Sequence, residues 1–397
     1  MKFTISSTAL LACTIVLCHV QPASALNPAR APDNQPQTNG RSVIGATCQS
    51  QPNGSCRIMN VVAGSPAEHA GLHAGDVLLG LENQKKGGVT EQIAALKPGT
   101  RTRIEFQRGG EPKQASIVTA DELEFYTQAS ARGDHVAETL LGEDYAWGYD
   151  GIQENTVLGI NLLRNAAESG QADAQDDLGT IYYKGHGVAA DPQTAVSWYR
   201  KSAEQGFAKG EHDLAEMYMY AEGFKDPKAA FEWYKKAAEQ GDALSQWSLG
   251  RLYEQGFGIA KNDQTAASWY GKAAESGLPQ AQAHLGSMYF DGIGVPKDNS
   301  MALKWFQQAA ENNQSEAEFG MGVMYAYGRG VPKNDATALS WYRKAAAQND
   351  AAAEYFIGMM YETGAGVAKD LNAAREWYKK SAAHGYPDAA AKLQQLR

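Results

Sequence analysis

Cysteine is scarce in this chain of 397 residues: there are four, Cys13, Cys18, Cys48 and Cys56, and none beyond residue 56. Disulfides therefore cannot hold the larger part of the molecule together, which leaves packing to do so. Positive charge is also in deficit. Lys and Arg number 36 against 45 Asp and Glu, for a formal charge of −9, so no basic surface is expected on average and nucleic acid is excluded as an expected partner. Past the N-terminal leader, no run approaches the ~18 continuous apolar residues of a membrane-spanning helix. The common catalytic signatures are missing too: the chain contains no Gly-x-Ser-x-Gly, no Ser-x-x-Lys and no His-Glu-x-x-His. His69 and His73 stand four apart, but Gly71 between them marks a turn, and both read as surface residues rather than metal ligands. No catalytic residue, cofactor or metal is expected, and the chain reads as a non-enzyme.

The first twenty-five residues combine one early charge, Lys2, an apolar centre from Leu10 to Leu17 and a closing Ala23-Ser24-Ala25. This is the pattern of a secretory signal peptide (1–25), cut after Ala25. A lipoprotein reading at Cys13 leaves a very short apolar core. Residues 26–40, rich in Pro, Asn and Gln and without periodicity, read as a flexible linker. Export places Cys48 and Cys56 in an oxidising compartment. They flank a segment with Pro52, Asn53 and Gly54 between two short strand-like runs, so a disulfide across a hairpin is expected, worth roughly 2–3 kcal/mol.

From 41 to 120 the chain alternates in short runs, such as Arg57 to Val62 and Arg103 to Phe106, punctuated by Gly and Pro. Val77, Leu79 and Leu81 are expected to line the buried face of one strand, and Ser65 to cap a short helix begun by Pro66. The segments Ser65-Pro66-Ala67, Ala70-Gly71-Leu72 and Gly75-Asp76-Val77 stand in the order and spacing of bacterial PDZ domains of the envelope-protease type, which this region resembles. The resemblance implies a groove in which backbone N–H groups of the loop Ser42 to Ala46 receive a peptide's C-terminal carboxylate while the peptide adds as a strand. Val43, Ile44, Gly45 and Ala46, with Ile93 and Leu96 on a facing helix opened by Thr90, are the implied peptide-binding residues.

Beyond residue 133 the chain repeats. Trp198, Trp233, Trp269, Trp305, Trp341 and Trp377 follow one another at intervals of 35 or 36 residues. Around Trp305, the residues Ala302, Trp305, Phe306, Ala309 and Ala310 form one apolar stripe at helical spacing, with the aromatic pair expected to fill the space between helices. Seven residues before each Trp stands an Asp or Asn (Asp191, Asp226, Asn262, Asp298, Asn334, Asp370), a residue type that caps helix starts. These carboxylates are structural, not catalytic. Leu-Gly pairs such as Leu178-Gly179 and Leu285-Gly286, and loops such as Gly292-Ile293-Gly294-Val295, complete a pattern that resembles the Sel-one-like repeat, a tetratricopeptide-class helix pair.

The expected architecture is thus a small mostly-β PDZ domain (41–120), a half-repeat helix (121–133), an all-α superhelical solenoid of seven helix-pair repeats (134–385) and a C-terminal capping helix (386–397). The third unit departs from the pattern: Tyr218 to Asp226 is one residue short and lacks the Gly-x-Gly-Val loop.

What the two resemblances imply is a periplasmic adaptor with protein or peptide partners. The alternative is an enzyme, or a direct regulator of one, in cell-envelope (peptidoglycan or β-lactam) metabolism. Positions beside each Leu-Gly should turn away from the core and vary with the partner. They are acidic early (Asp176, Asp177, Asp213, Glu216, with Thr180 and His212) and apolar late. Phe319, Val323, Tyr327, Tyr355, Phe356 and Met359 are the candidate partner-binding group; the competing expectation is that Phe319 and Tyr355, like Trp247, simply pack between successive first helices.

Overall fold

The computed structural model describes residues 42–44, 46–50, 55–62, 65–81, 88–96, 100–118, 120–149 and 152–396. The expected signal peptide, the linker and Gly45 lie outside the described residues. Two compact units divide between Asp242 and Ala243.

The first unit begins with β1 (Ser42–Val43), β2 (Ala46–Ser50), β3 (Cys56–Val61), α1 (Pro66–His69), β4 (Val77–Leu81), α2 (Val89–Ala94), β5 (Arg101–Arg108), β6 (Glu111–Val118) and β7 (Ala120–Asp121). Strands β2 to β6 form one antiparallel sheet in chain order, and β1 pairs with β7. Ile58, Leu72, Leu78, Ile104, Phe106 and Ile117 make its core. The alternation expected for β4 does not hold. Leu78 and Leu81 are buried while Leu79 is 41% exposed, because the register against β5 shifts between Leu78 and Gly80 and turns the later residues over. The expected cap at Ser65 is present, its hydroxyl accepting from the Glu68 N–H at 3.0 Å. Helix α2 starts one residue earlier than expected, at Val89, with the Glu91 carboxylate accepting from the Gly88 N–H.

Cys48 and Cys56 are joined across the β2–β3 hairpin, with Cα atoms 5.7 Å apart. Mass analysis of unreduced protein is expected to show two hydrogens fewer than the dithiol form, whereas two alkylatable thiols would contradict the bond.

Helices follow: α3 (Glu122–Ala131), α4 (His135–Trp147), α5 (Thr156–Glu168), α6 (Ala172–Lys184), α7 (Pro192–Glu204), α8 (Ala208–Tyr220) and α9 (Pro227–Glu239). Val62, just past β3, packs with Tyr126 and Ala129 of α3 and with Ala137 and Leu141 of α4, which ties the sheet to the helices. The second unit is all helical: α10 (Ala243–Gln255), α11 (Asp263–Glu275), α12 (Pro279–Asp291), α13 (Asn299–Glu311), α14 (Ser315–Tyr327), α15 (Asp335–Ala347), α16 (Ala351–Thr363), α17 (Leu371–Ala383) and α18 (Ala389–Gln395). From α4 to α17 the helices pair antiparallel-fashion as first and second members of each repeat, every one thirteen residues long.

The expected Asp and Asn caps open the second helices. Asp298, for example, accepts from the N–H groups of Ser300 and Met301 at 2.8 and 3.1 Å. The loop glycines are forced by two separate constraints. Gly292 ends α12 in the left-handed region at φ +77°, and a Cβ on Gly294 (φ +69°) would lie 2.1 Å from the backbone oxygen of Asp263, at the start of α11. In the third repeat α8 ends at Ala221 in an extended conformation, without that glycine cap.

The tryptophans are not the deepest residues. The following residue is: Tyr234, Tyr270, Tyr342 and Tyr378 are at most 1% exposed and Phe306 is 3% exposed, whereas of the six Trp only Trp305 is buried. The Leu-Gly glycine makes room for that ring, since a Cβ on Gly286 would stand 2.8 Å from Phe306 Cδ1 and one on Gly250 would stand 2.7 Å from Tyr270 Cε1. Each remaining Trp lies half-buried under a lysine three residues on. Lys201, Lys236 and Lys272 each stand 3.7 Å from the ring centres of Trp198, Trp233 and Trp269. A polar clasp, not legible in the sequence, joins the two helices of several repeats: Gln205 Nε2 donates to Gln175 Oε1 at 2.8 Å, Gln240 to Glu211 at 2.7 Å and Gln348 to Glu318 at 2.8 Å.

Candidate interaction sites

The sheet leaves β2 at its edge, hydrogen-bonded among the described strands only to β3. An edge of this kind can accept an added strand. The candidate peptide-binding residues meet around one cluster: Ile44 and Ile93 are buried in it, and Ala46 and Leu96 pack half-buried against it. At 5% and 6% exposure the two isoleucines can form only a floor, which leaves Ala46 and Leu96 as the reachable walls. The Val43 backbone lies in β1 opposite Ala120, and Gly45 is outside the described residues. Helix α2 packs against β4 and β1. Gln92 fixes its position through Oε1, which accepts from the buried Leu81 N–H at 3.0 Å.

Below this edge Asp76 is held by Arg108, whose Nε and Nη2 donate to the two carboxylate oxygens at 2.7 and 2.6 Å while Nη2 also reaches the Gly71 carbonyl. Burial alone would raise the Asp76 carboxyl, but the Arg108 hydrogen bond and the His73 N–H outweigh it and bring the group below its ordinary value. The pairing spans thirty-two residues, a separation that strand spacing does not reveal. His69 and His73 are exposed.

In the second unit the candidate partner-binding residues come from α14 and α16. Phe319, Phe356 and the buried Tyr342 form a triangle with ring centres 5.4 to 5.6 Å apart. Tyr355 contacts Phe356 and Tyr378 and stacks on Tyr386 at 4.6 Å. Phe319, Val323 and Phe356 pack against the core around Tyr342, each half-buried, and Met359 is half-buried as well. Tyr327, at the end of α14, is 41% exposed. The face is therefore a seam between successive first helices with its outer edge open to solvent.

Two of the early variable positions differ from expectation: Asp176 is fully buried and His212 is 8% exposed, because they stand in the seam between first helices rather than on an outer face, while Asp177, Thr180, Asp213 and Glu216 are half-buried. Sequence reasoning missed Lys209, whose ammonium pairs with Asp176 and lies 3.4 Å from Asp177. In the second unit it missed His284. Burial would lower that imidazole, but Glu316 at 3.4 Å, helped by Glu254, lifts it to about 9, so it stays charged beside Tyr270 and Trp247. Among the described residues no three His, Cys, Asp or Glu side chains gather as a metal site, and no helix is long and apolar enough to cross a membrane.

Seven consecutive segments, 135–171, 172–207, 208–242, 243–278, 279–314, 315–350 and 351–386, match the Sel1 repeat, and residues 42–119 match the PDZ domain. The chain belongs to the Sel1 repeat family and carries a PDZ domain ahead of its repeats. Among solved structures it resembles a protective antigen present in uropathogenic Escherichia coli strains that displays an SLR fold, at 37% identity and TM-score 0.62 over 69% of this chain and 59% of that one. It also resembles a Sel1 repeat protein from Oxalobacter formigenes, at 30% identity and TM-score 0.54 over 69% of this chain and 79% of that one.

Curated relatives include chitin synthase regulatory factor 3 of Schizosaccharomyces pombe, 38% identical over 23% of this chain and 10% of the relative. Another is the chitin synthase regulator SKT5 of Saccharomyces cerevisiae, 30% identical over 27% and 16%. The chain spans under a fifth of the length of these two relatives. Both domain types indicate protein partners.

Proposed function

We propose that this protein is a non-enzymatic scaffold of a bacterial envelope, exported to the periplasm, with two separate protein-binding surfaces. The PDZ groove reads a partner's C-terminal peptide, and the α14–α16 face holds a second partner. The β2 edge carries the reading: it is a strand with one side unpaired among the described strands, beside a cluster whose outer members, Ala46 and Leu96, remain reachable. The signal-like leader and the Cys48–Cys56 bond favour the exported location.

A regulator of an envelope polysaccharide enzyme is the second reading, favoured by the names of the two yeast relatives. It is compatible with a scaffold that positions such an enzyme.

Two variants test the surfaces. Gly45→Glu places a side chain and a like charge where the carboxylate is received, and is expected to weaken binding of envelope-protein C-terminal peptides more than tenfold, with amidation of the peptide doing the same. Val323→Ser with Met359→Ser is expected to fold with only a small loss of stability, from the packing of Val323 on the core, and to remove a partner captured through the repeats. Equal binding of free-acid and amidated peptides contradicts the first surface, and lowered thermal stability with the partner retained contradicts the second.

A further inference from the structure

The seam between the first helices of the first three repeats holds more carboxyl groups than its fold explains. Glu143 and Asp144 come from α4, Asp173, Asp176 and Asp177 from α6, and Asp213 and Glu216 from α8, and Lys209 is a cation among them, paired with Asp176 and Asp177. Tyr199 of α7 and Tyr234 of α9 close the seam, the first bonded to Thr180 and the second to Glu216, and His212 lies 3.7 Å from Asp242 beside it. Repeats of the same fold carry Trp247 and Ser248, Ala283 and His284, Phe319 and Gly320, or Tyr355 and Phe356 at the positions of Asp176 and Asp177. Helix packing therefore does not call for acids there.

The contacts are specific. Lys209 takes one oxygen of Asp176, while the other, Oδ1, is buried and has no donor; Asp177 Oδ2 is in the same condition. These carboxyls meet others: Asp213 stands at hydrogen-bonding range of Asp176, and Glu143 of Asp177. Two carboxylates cannot hydrogen-bond each other, but a carboxylic acid and a carboxylate can. A buried acceptor without a donor needs either a visiting cation or a proton, and at a fully enclosed oxygen the proton is the one small enough to reach it.

We propose that this seam is a proton-operated joint, in which the pairs Asp176–Asp213 and Asp177–Glu143 each share a proton that ties α4, α6 and α8 together, and release it as pH rises, loosening the first three repeats. Burial is the leading cause that lifts all four carboxyls, to about 6 for Asp213, with Lys209 opposing it. A carboxyl whose folded-state value is raised costs stability above that value, and the cost is relieved as pH falls through about 6 toward the ordinary 3.8 of the unfolded chain.

Hydrogen exchange of the intact chain, followed by mass spectrometry between pH 8 and 5.5 and corrected for intrinsic exchange, reads the joint directly. Opening of 172–184 and 208–220 is expected to become about fourfold rarer as Asp213 takes up its proton near 6, with 299–311 as the control. Asp213→Asn and, separately, Glu143→Gln supply a permanent donor to one pair. Each is expected to raise protection of the seam at pH 8 part of the way toward that of the wild type near 5.5, and to make its pH dependence shallower, because the other pair still titrates. A wild-type profile without pH dependence overturns the proposal, as do amide variants that keep the wild-type slope or that lose protection at every pH.

Discussion

Phe306→Ala and Trp305→Ala are each expected to cost about 3–5 kcal/mol, whereas Trp269→Ala costs about 1–2 kcal/mol. The ranking follows from burial: Phe306 and Trp305 are 3% and 7% exposed, while Trp269 is half-buried under Lys272. Phe306 has little room to be replaced by a shifted neighbour. Its ring is gripped from two helices, for a Cβ on Gly286 of α12 would lie 2.8 Å from it and one on Gly320 of α14 would lie 2.7 Å from it. The void left by alanine cannot close unless both helices move, so the loss should reach the neighbouring repeats. Denaturant midpoints of the three variants check the order. Equal losses for Trp269 and Phe306 would mean that the tryptophan, not the following aromatic residue, carries the repeat.

Two glycine-to-alanine changes in the same region are expected to act in opposite directions. Gly294→Ala forces a side chain onto a left-handed residue (φ +69°) and against the Asp263 carbonyl 2.1 Å away, and should cost about 2–4 kcal/mol. Because the obstacle is backbone at the first turn of α11, no rotamer relieves it. Gly271→Ala lies inside α11, where a Cβ meets nothing within 4 Å, and should stabilise by about 0.5–1 kcal/mol through helix propensity alone. Thermal melts of the pair decide the matter; a neutral Gly294→Ala would show that the loop does not rest on the preceding helix.

Local chemistry was enough for much of this protein. The Asp and Asn caps, the loop glycines, the Ser65-Pro66 helix start, the hairpin disulfide and the thirty-six-residue period were all legible, because each depends on residues within one or two turns of chain: a cap needs an N–H three residues away, and a disulfide across a hairpin needs two close cysteines. The Leu-Gly pair was legible as a motif but not as a cause. Only the packed repeats show that its glycine exists to admit the ring of the Tyr or Phe after each Trp, some twenty residues later. The face of β4 was likewise misjudged, since a register shift against β5 is a property of two strands and not of one.

The sites divide in the same way. Ile44, Ala46, Ile93 and Leu96 could be named together from their motif, but which of them remain reachable was decided by the depth of the core they enter. The candidate partner-binding positions of α14 and α16 were named by helical spacing, and the rings of Phe319 and Tyr355 lie between successive first helices, as the competing expectation had them, each half-buried. Asp176, Lys209 and Asp213 carried no joint signal in the sequence. Helical period alone turned the acidic positions toward solvent, whereas stacking one repeat on the next enclosed Asp176 and brought it against Lys209, thirty-three residues further along the chain, a pairing that only the fold could make.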